Sequence, residues 1–322
     1  MTTLKDDFFQ LVEYAVKAPS GHNTQPWKFR LDENRIEILP DLSKSLPIVD
    51  TNNRELYISL GCAAENLIIA ASTFGYKSEI FISVEGIISI KLNKSNNIQP
   101  DTLFDQINIR QANRKVYLNK IIADEDVKKC IPSISAEDEI YFYQWNKKSP
   151  EFETIKHCIL KGNNLQMENK EFIEELKAWM RFNKKQADKH RDGLSYAVFG
   201  APNLPACISK PIISYFLNGK SQNEGDSKKI YSSSHFILIT SKNDTVKDWI
   251  ITGRYLQRFL LKTTKADIAH AYMNQPCEVP ELRAELKKLL TYNNQTPQIL
   301  LRIGRATKTV YSERKAVKDV II

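Results

Sequence analysis

Several clusters in this sequence have the residue types and spacing to hold a polar ligand. The first is Ala18-Pro19-Ser20-Gly21-His22-Asn23-Thr24-Gln25-Pro26-Trp27, which crowds turn formers and hydrogen-bonding side chains between a helix-like and a strand-like segment. Backbone N–H groups and small polar side chains at such a junction suit a planar, polar ligand; they suit a plain turn as well. The second is Ile109-Arg110-Gln111-Ala112-Asn113-Arg114-Lys115. Arg110 and Arg114 share one face if this turn is helical, and two converging guanidinium forks match phosphate oxygens; the alternative is a solvated charged face. The third, Gln275-Pro276-Cys277-Glu278-Val279-Pro280, is either a ligand contact or a plain helix entry with Pro280 near the first helical position. The fourth, Ser312-Glu313-Arg314-Lys315, lies in a basic tail whose alternative is a mobile C-terminus.

Other chemistries are not encoded. The histidines His22, His157, His190, His235 and His270 show no H-E-x-x-H or Cys/His ligand spacing, so no metal is expected. There is no G-x-S-x-G elbow, no G-x-G-x-x-G and no P-loop. His157 and Cys158 are neighbours in a helical stretch and point to different faces. The net charge of +8 has no run of five or six like charges, which excludes a nucleic-acid arm and leaves a basic pocket for a phosphate-bearing small molecule. Five scattered cysteines with no C-x-x-C pair predict reduced thiols and a cytoplasmic protein. Met1–Asp7 is acidic and amphipathic, unlike a signal peptide. The most apolar stretch, Ile58–Ala71, is broken by Glu65 and Asn66, so no membrane span is expected.

The elements that must position these clusters follow from periodicity and punctuation. Leu4, Phe8, Leu11, Val12 and Ala15 predict a helix over 4–17 that Pro19 stops. Strands are expected over 27–31 and 35–39. Asn52 caps the next helix with Glu55 returning the bond, and Gly75 follows its end. The interior of that helix, 55–74, is apolar on nearly every face and predicts burial all round. Strands over 79–83 and 87–92 precede a polar linker at 93–101. Beyond it come helices over 102–108, 124–130, 150–160 and 169–189, the last capped by Asn169, and a strand over 139–144. Residues 191–234 give weak signals and read as a long loop, either functional, such as a lid, or disordered. A strand over 235–241, helices over 245–262 and 280–292 and a strand over 298–303 complete an α+β order. One echo stands out: Tyr57-Ile58-Ser59-Leu60-Gly61 resembles Trp249-Ile250-Ile251-Thr252-Gly253, each with a glycine that permits close approach.

Taken together, the clusters resemble the nitroreductase superfamily of FMN-dependent oxidoreductases, particularly its single-chain Acg-like branch. Residues 18–27 look like the family's A-P-S-x-x-N-x-Q-P-W motif, Arg54-Glu55-Leu56 through Gly61 like its R-E-L…G helix, and Arg110–Arg114 like its R-x-[ST]-x-R phosphate motif. Gln275-Pro276-x-Glu278 and Arg314-Lys315 fall where its later motifs stand. The resemblance implies a nitroreductase-like α+β fold. Two fused halves, 1–98 and 99–322, would form a pseudo-dimer with mixed or antiparallel sheets flanked by helices. A lid near 191–226 would cover the flavin, and the C-terminal tail would close on it.

The implied flavin contacts are Pro19, Ser20, His22, Asn23, Gln25, Arg110, Arg114, Gln275, Glu278, Arg314 and Lys315. The implied activity is NAD(P)H-driven reduction of nitroaromatic or quinone-like small molecules, by a monomeric pseudo-dimer or a homodimer with no nucleic-acid or membrane partner. Ala112 replaces the family's hydroxyl residue and Gln111 a common basic one, which implies weaker flavin retention. A lidded flavin-sequestering protein with little turnover is the alternative.

Overall fold

The computed structural model describes residues 4–290 and 294–322, with nothing placed for the side chains of residues 4 and 5. Met1–Thr3 of the amphipathic start, the Leu4 side chain of the first helix's apolar face, and Tyr292 at the end of the expected helix 280–292 therefore lie outside the description. The chain begins α1 (Leu4–Ala15), β1 (Trp27–Asp32), β2 (Arg35–Pro40), α2 (Arg54–Thr73), β3 (Tyr76–Ile82), β4 (Ile88–Lys94). It continues α3 (Gln106–Ile109), α4 (Asp124–Cys130), β5 (Ile140–Asn146), α5 (Pro150–Glu168), α6 (Lys170–Ala178), β6 (Met180–Arg181), α7 (Lys184–His190), β7 (Leu194–Ser195). The rest is α8 (Ala206–Phe216), α9 (Gly219–Tyr231), β8 (His235–Ser241), α10 (Val246–Lys265), β9 (Ala269–Tyr272), α11 (Gln275–Glu278), α12 (Pro280–Lys287) and β10 (Thr296–Gly304).

Two antiparallel four-stranded sheets, ordered β1-β2-β4-β3 and β5-β8-β10-β9, organise an α+β fold, as the element order predicts. A single apolar core joins them, in which Trp27, Phe29, Ile36 and Ile88 of the first sheet meet Ile237, Ile239 and Leu301 of the second through α2 and α10. The second sheet is covered on its other face too, where Phe236, Leu238 and Leu300 pack on Phe152, Ile155 and Ile159 of α5. That is why β8 is buried at every position and reads as a continuous apolar run, whereas β1 and β2 alternate.

The α2–α10 crossing is the closest approach in the core. A Cβ on Gly61 would stand 2.0 Å from the Ile250 carbonyl oxygen, and one on Gly253 would stand 2.0 Å from that of Ile58. The contacts are reciprocal, so the sequence echo is a mutual docking of two equivalent turns. Glu65 and Asn66, the polar breaks in the apolar stretch, face α10. Glu65 receives Arg254 Nε at 2.9 Å and Arg258 Nη1 at 2.6 Å, and Asn66 Oδ1 receives Gln257 Nε2 at 2.7 Å. By length and composition α2 could cross a membrane; here most of it is buried between the sheets.

Several local expectations are corrected. Asn52 does not cap α2; Asn53 precedes it in left-handed backbone, and the Asp50 carboxylate accepts the Glu55 and Leu56 N–H groups at 3.0 and 2.9 Å. A carboxylate with two oxygens outcompetes a single amide for the orphan N–H groups. The helix expected over 169–189 splits at Trp179 into α6, β6 and α7, although Asn169 caps α6 as predicted. The weak region 191–234 is mostly ordered as β7, α8 and α9, and Asn218 caps α9 with its side chain. Arg110 and Arg114 do not share a helix: α3 ends at Ile109 and Arg110 is extended, with φ −65° and ψ 130°.

Candidate functional site

A cavity of about 800 Å³ collects most of the predicted residues. Pro19, Ser20, His22, Asn23, Arg110, Arg114, Gln275, Glu278 and Arg314 all line it, having come from four separate parts of the chain. Gln25 and Lys315 do not line it.

The first loop is folded by its own polar groups. Ser20 Oγ accepts the Gln25 N–H at 3.0 Å, and His22, Asn23 and Gln25 all take positive φ, of 46°, 56° and 53°. Such left-handed residues cost on the order of 1–3 kcal/mol each and need outside support. The support comes from two side chains. Asn23 Nδ2 donates to the carbonyls of Gly193 and Glu313, both at 3.1 Å. Gln25 Nε2 donates to the Arg191 carbonyl at 2.8 Å, while its Oε1 accepts the Lys315 N–H at 2.9 Å. These two residues therefore clamp the start of the 191–226 segment and the C-terminal tail onto the loop. Lys315 itself faces Asp192 at 3.7 Å.

One wall of the cavity is cationic. Residues 110–115 run beside β9, pairing Ala112 with His270, and the Asn113 N–H donates to the His270 carbonyl at 2.8 Å. From below, the buried Arg302 donates to the Asn113 and Lys115 carbonyls at 3.2 and 2.7 Å and lies 3.9 Å from the Tyr117 ring centre. Extended backbone thus brings Arg110 and Arg114 to the cavity where a helix was expected. Arg110 donates to the Lys17 carbonyl at 2.7 Å, and Arg314 donates to Asn23 Oδ1 at 2.8 Å. The Nε atoms of both are buried without a partner, as is His22 Nε2. No carboxylate bonds to Arg110, Arg114 or Arg314 among the described residues. Burial and the neighbouring charges of Arg110 and Arg114 push Arg314 down to about 9. Burial, then the charge of Arg114, holds His22 down at about 4, so its ring is neutral at pH 7.

The facing wall is acidic. Glu55, at the start of α2, bonds Asn274 Nδ2 through Oε1 and lies 3.3 Å from Arg54 Nη2. Glu278 of α11 accepts Gln166 Nε2 at 2.5 Å. Burial raises the Glu55 carboxyl well above its ordinary range and Glu278's charge adds to that; Glu278 is raised mainly by burial. Gln275 donates to Asn163 Oδ1 at 2.9 Å, and its buried Oε1 has no partner. Tyr272 of β9 also lines the cavity.

Sequence reasoning missed Lys17, Tyr272 and Asn274 as lining residues and gave Glu55 no place among the flavin contacts, reading it as a cap partner and as part of the R-E-L stretch. The signal for Glu55 was its place beside Arg54 in the R-E-L stretch. A Ser234–His235–Asp124 chain, with contacts of 2.9 and 2.8 Å, imitates a nucleophilic triad. None of the three lines the cavity, and Ser234 Oγ is occupied by the Ile122 N–H at 2.8 Å.

Fold and site together define an α+β protein with an anion-ready cavity beside buried carboxylates. No protein-family model matches the chain. Proteins from two strains of Mycobacterium tuberculosis, each named "Putative NAD(P)H nitroreductase", are 22% identical over 302 residues, spanning 91% of this chain and 83% of theirs. Among solved structures, a Bacteroides fragilis nitroreductase with bound FMN is 15% identical, with TM-score 0.38, over 67% of this chain and 94% of its own. An FMN- and NADPH-dependent nitroreductase from a sphigopyxis strain is 11% identical, with TM-score 0.46, over 69% of this chain and 98% of its own. Over nearly its whole length the chain is thus similar to proteins named as nitroreductases.

Proposed function

We propose that this protein is an FMN-dependent oxidoreductase that takes electrons from NAD(P)H and passes them to a small aromatic acceptor of the nitroaromatic or quinone type. The observation that carries this reading is the meeting of Arg110, Arg114 and Arg314 in one cavity without a carboxylate partner. Gathering three like charges, one buried and two half-buried, in one cavity is costly unless an anion completes them, and a phosphate monoester has the charge and oxygen geometry to do so. The orphaned Nε atoms of Arg110 and Arg314 and the orphaned Gln275 Oε1 are the donors and acceptor that a phosphate and a polar ring edge would satisfy. The residues present therefore fit FMN.

Bound there, FMN would supply hydride transfer. The chain's residues would do the remaining work. Arg110, Arg114 and Arg314 would hold the phosphate, and neutral His22 and Gln275 would bond polar atoms without adding charge. Apolar Phe172, Leu176, Met180, Phe199 and Phe216, which also line the cavity, would seat an aromatic acceptor and exclude water. The mycobacterial relatives' name supports the choice of donor. We assign the two sheets with their equivalent α2 and α10 turns to fused halves, 1–98 and 99–322, and segment 191–226 to a lid. Five thiols with no disulfide accord with a reducing compartment such as the cytoplasm.

An absorbance spectrum tests this reading. The purified protein should carry flavin bands, or gain them on incubation with FMN, and anaerobic NADPH should bleach them. A protein that takes up no flavin would end it. One observation favours a second reading, flavin storage: the Asn23 and Gln25 side chains fasten the proposed lid and the tail with five hydrogen bonds between them, three and two, which leaves neither side chain free. Bound flavin that neither NADH nor NADPH bleaches is the expected result for storage.

A further inference from the structure

Glu55 and Glu278 enter the cavity from different elements, α2 and α11, and Asn274, which donates to Glu55, lines the cavity with them. Each carboxylate has one oxygen tied to an amide, Glu55 to Asn274 and Glu278 to Gln166. The other Glu55 oxygen points at the first ligand loop: a Cβ on Gly21 would lie 3.6 Å from Glu55 Oε2. The nearest cation is Arg54, but its guanidinium is largely committed elsewhere, to the Gln298 and Cys277 carbonyls. Asp50, which adds further negative charge, is itself bound to the N-terminal N–H groups of α2. Cys277 and Tyr272 are the other titratable groups close by, and burial raises both, so both stay neutral at pH 7. Two carboxylates with a single, shared cation next to them cannot both ionise cheaply in a buried site.

We propose that Glu55 and Glu278 hold one proton between them at neutral pH and deliver it to the acceptor as it is reduced. The proposal rests on the flavin reading above. Reduction of a quinone to a hydroquinone requires a hydride and a proton. The hydride comes from the reduced flavin, which returns to its oxidised form; the proton comes from the Glu55–Glu278 pair. The O–H bond of the carboxyl breaks, the new O–H forms on the hydroquinone, and the pair is left doubly ionised until solvent returns a proton. Burial raises both carboxyls, and the charge of Glu278 raises Glu55 further, which favours retention of that proton.

The test uses the full-length protein, with Glu55→Gln, Glu278→Gln and the double variant. Infrared difference spectra across a pH titration should show a protonated carboxyl persisting to neutral pH in the wild type and missing in the double variant, with or without flavin. In flavin-loaded protein, oxidation of the reduced flavin by a quinone should slow by about 10²-fold or more in Glu278→Gln, within the usual contribution of a general acid. Oxidation by ferricyanide, which takes electrons without protons, should be unchanged. A wild type with no protonated carboxyl above pH 6, or equal slowing with both oxidants, would overturn the proposal. If the protein takes up no flavin, the flavin reading and the transfer step fall together, and the infrared band still decides whether the pair holds a proton.

Discussion

The two walls of the cavity solve opposite charge problems by different means. On the cationic wall the arginines are given neutral carbonyl and amide oxygens, from Lys17 and Asn23, and are left with unpaired N–H groups. On the acidic wall the carboxylates are given amide donors, from Asn274 and Gln166, and lie beside one committed arginine. An arginine cannot shed its proton near neutral pH, so its excess charge is relieved by a bound anion. A carboxylate can be neutralised by a proton, so its excess charge is relieved by protonation. The same cavity thus offers an anion-binding wall and a proton-holding wall.

The strongest way to break this comparison is to remove the cationic wall. Arg110→Ala combined with Arg114→Ala should weaken FMN binding by about 10²–10⁴-fold, since hydrogen bonds to charged groups contribute about 1.5–3 kcal/mol each. Flavin fluorescence titration reads the loss, and an unchanged far-ultraviolet circular dichroism spectrum shows that the fold survives. Unaltered affinity would move the phosphate site elsewhere. A second substitution disturbs the acidic wall through its support. Gly61→Ala puts a methyl against the Ile250 carbonyl, forcing apart α2, which carries Glu55, and α10. Such overpacking costs about 1–3 kcal/mol, which a lowered thermal midpoint would report; an unchanged midpoint would mean that the crossing yields freely.

The smallest effect comes from pH and sharpens the contrast. Arg314 is held down at about 9 in the free protein, below its ordinary value, so it loses its proton as pH rises through 9. An anion favours the protonated form, so FMN affinity should fall by up to about tenfold per pH unit above 9. Riboflavin, which lacks the phosphate, should show no such fall in the same titration. Parallel curves for the two flavins would remove Arg314 from the phosphate site. The histidines work in the acid range with the opposite consequence for folding. His22 is held at about 4 and His270 at about 3, both mainly by burial. A base whose folded pKa is depressed contributes stability that is complete above its unfolded value and lost as pH falls below it. Thermal stability should therefore decline as pH drops from about 6.5 toward 4, and replacing His270 with Gln should flatten that decline.

Much of the site was legible because it is made of short motifs with local logic. The loop 18–27 folds on its own Ser20 bond, and the Asn169 cap and Gly75 terminus sit where their chemistry places them. The burial of α2 was legible too, since a helix apolar on every face has nowhere else to go. What periodicity could not reveal is a helix that ends for tertiary reasons. Residues 110–114 are extended because β9 and Arg302 offer their backbone hydrogen bonds, and no local signal announces a partner more than 150 positions away. The region 191–234 was obscured for another reason: α8 and α9 each bury only one or two residues, so neither presents a wide apolar stripe, and only α9 of the two has a side-chain cap.

By itself the sequence determined which groups were available: the arginines, the amide-rich loop, the paired glycines and an α+β order of elements. These are set by residue type and local periodicity, which need no distant partner. Only the tertiary structure decided how they are used. It turned Asn23 and Gln25 into clamps on 191–193 and 313–315, and it laid the C-terminal residues along β1, where the Phe29 N–H donates to the Val320 carbonyl at 2.8 Å and carries Arg314 back to the first loop. It also brought Glu55 and Glu278 into one cavity, each on its own amide donor. The physical reason is that charge and hydrogen-bonding capacity belong to single residues, whereas what satisfies them depends on which chain segments meet in space.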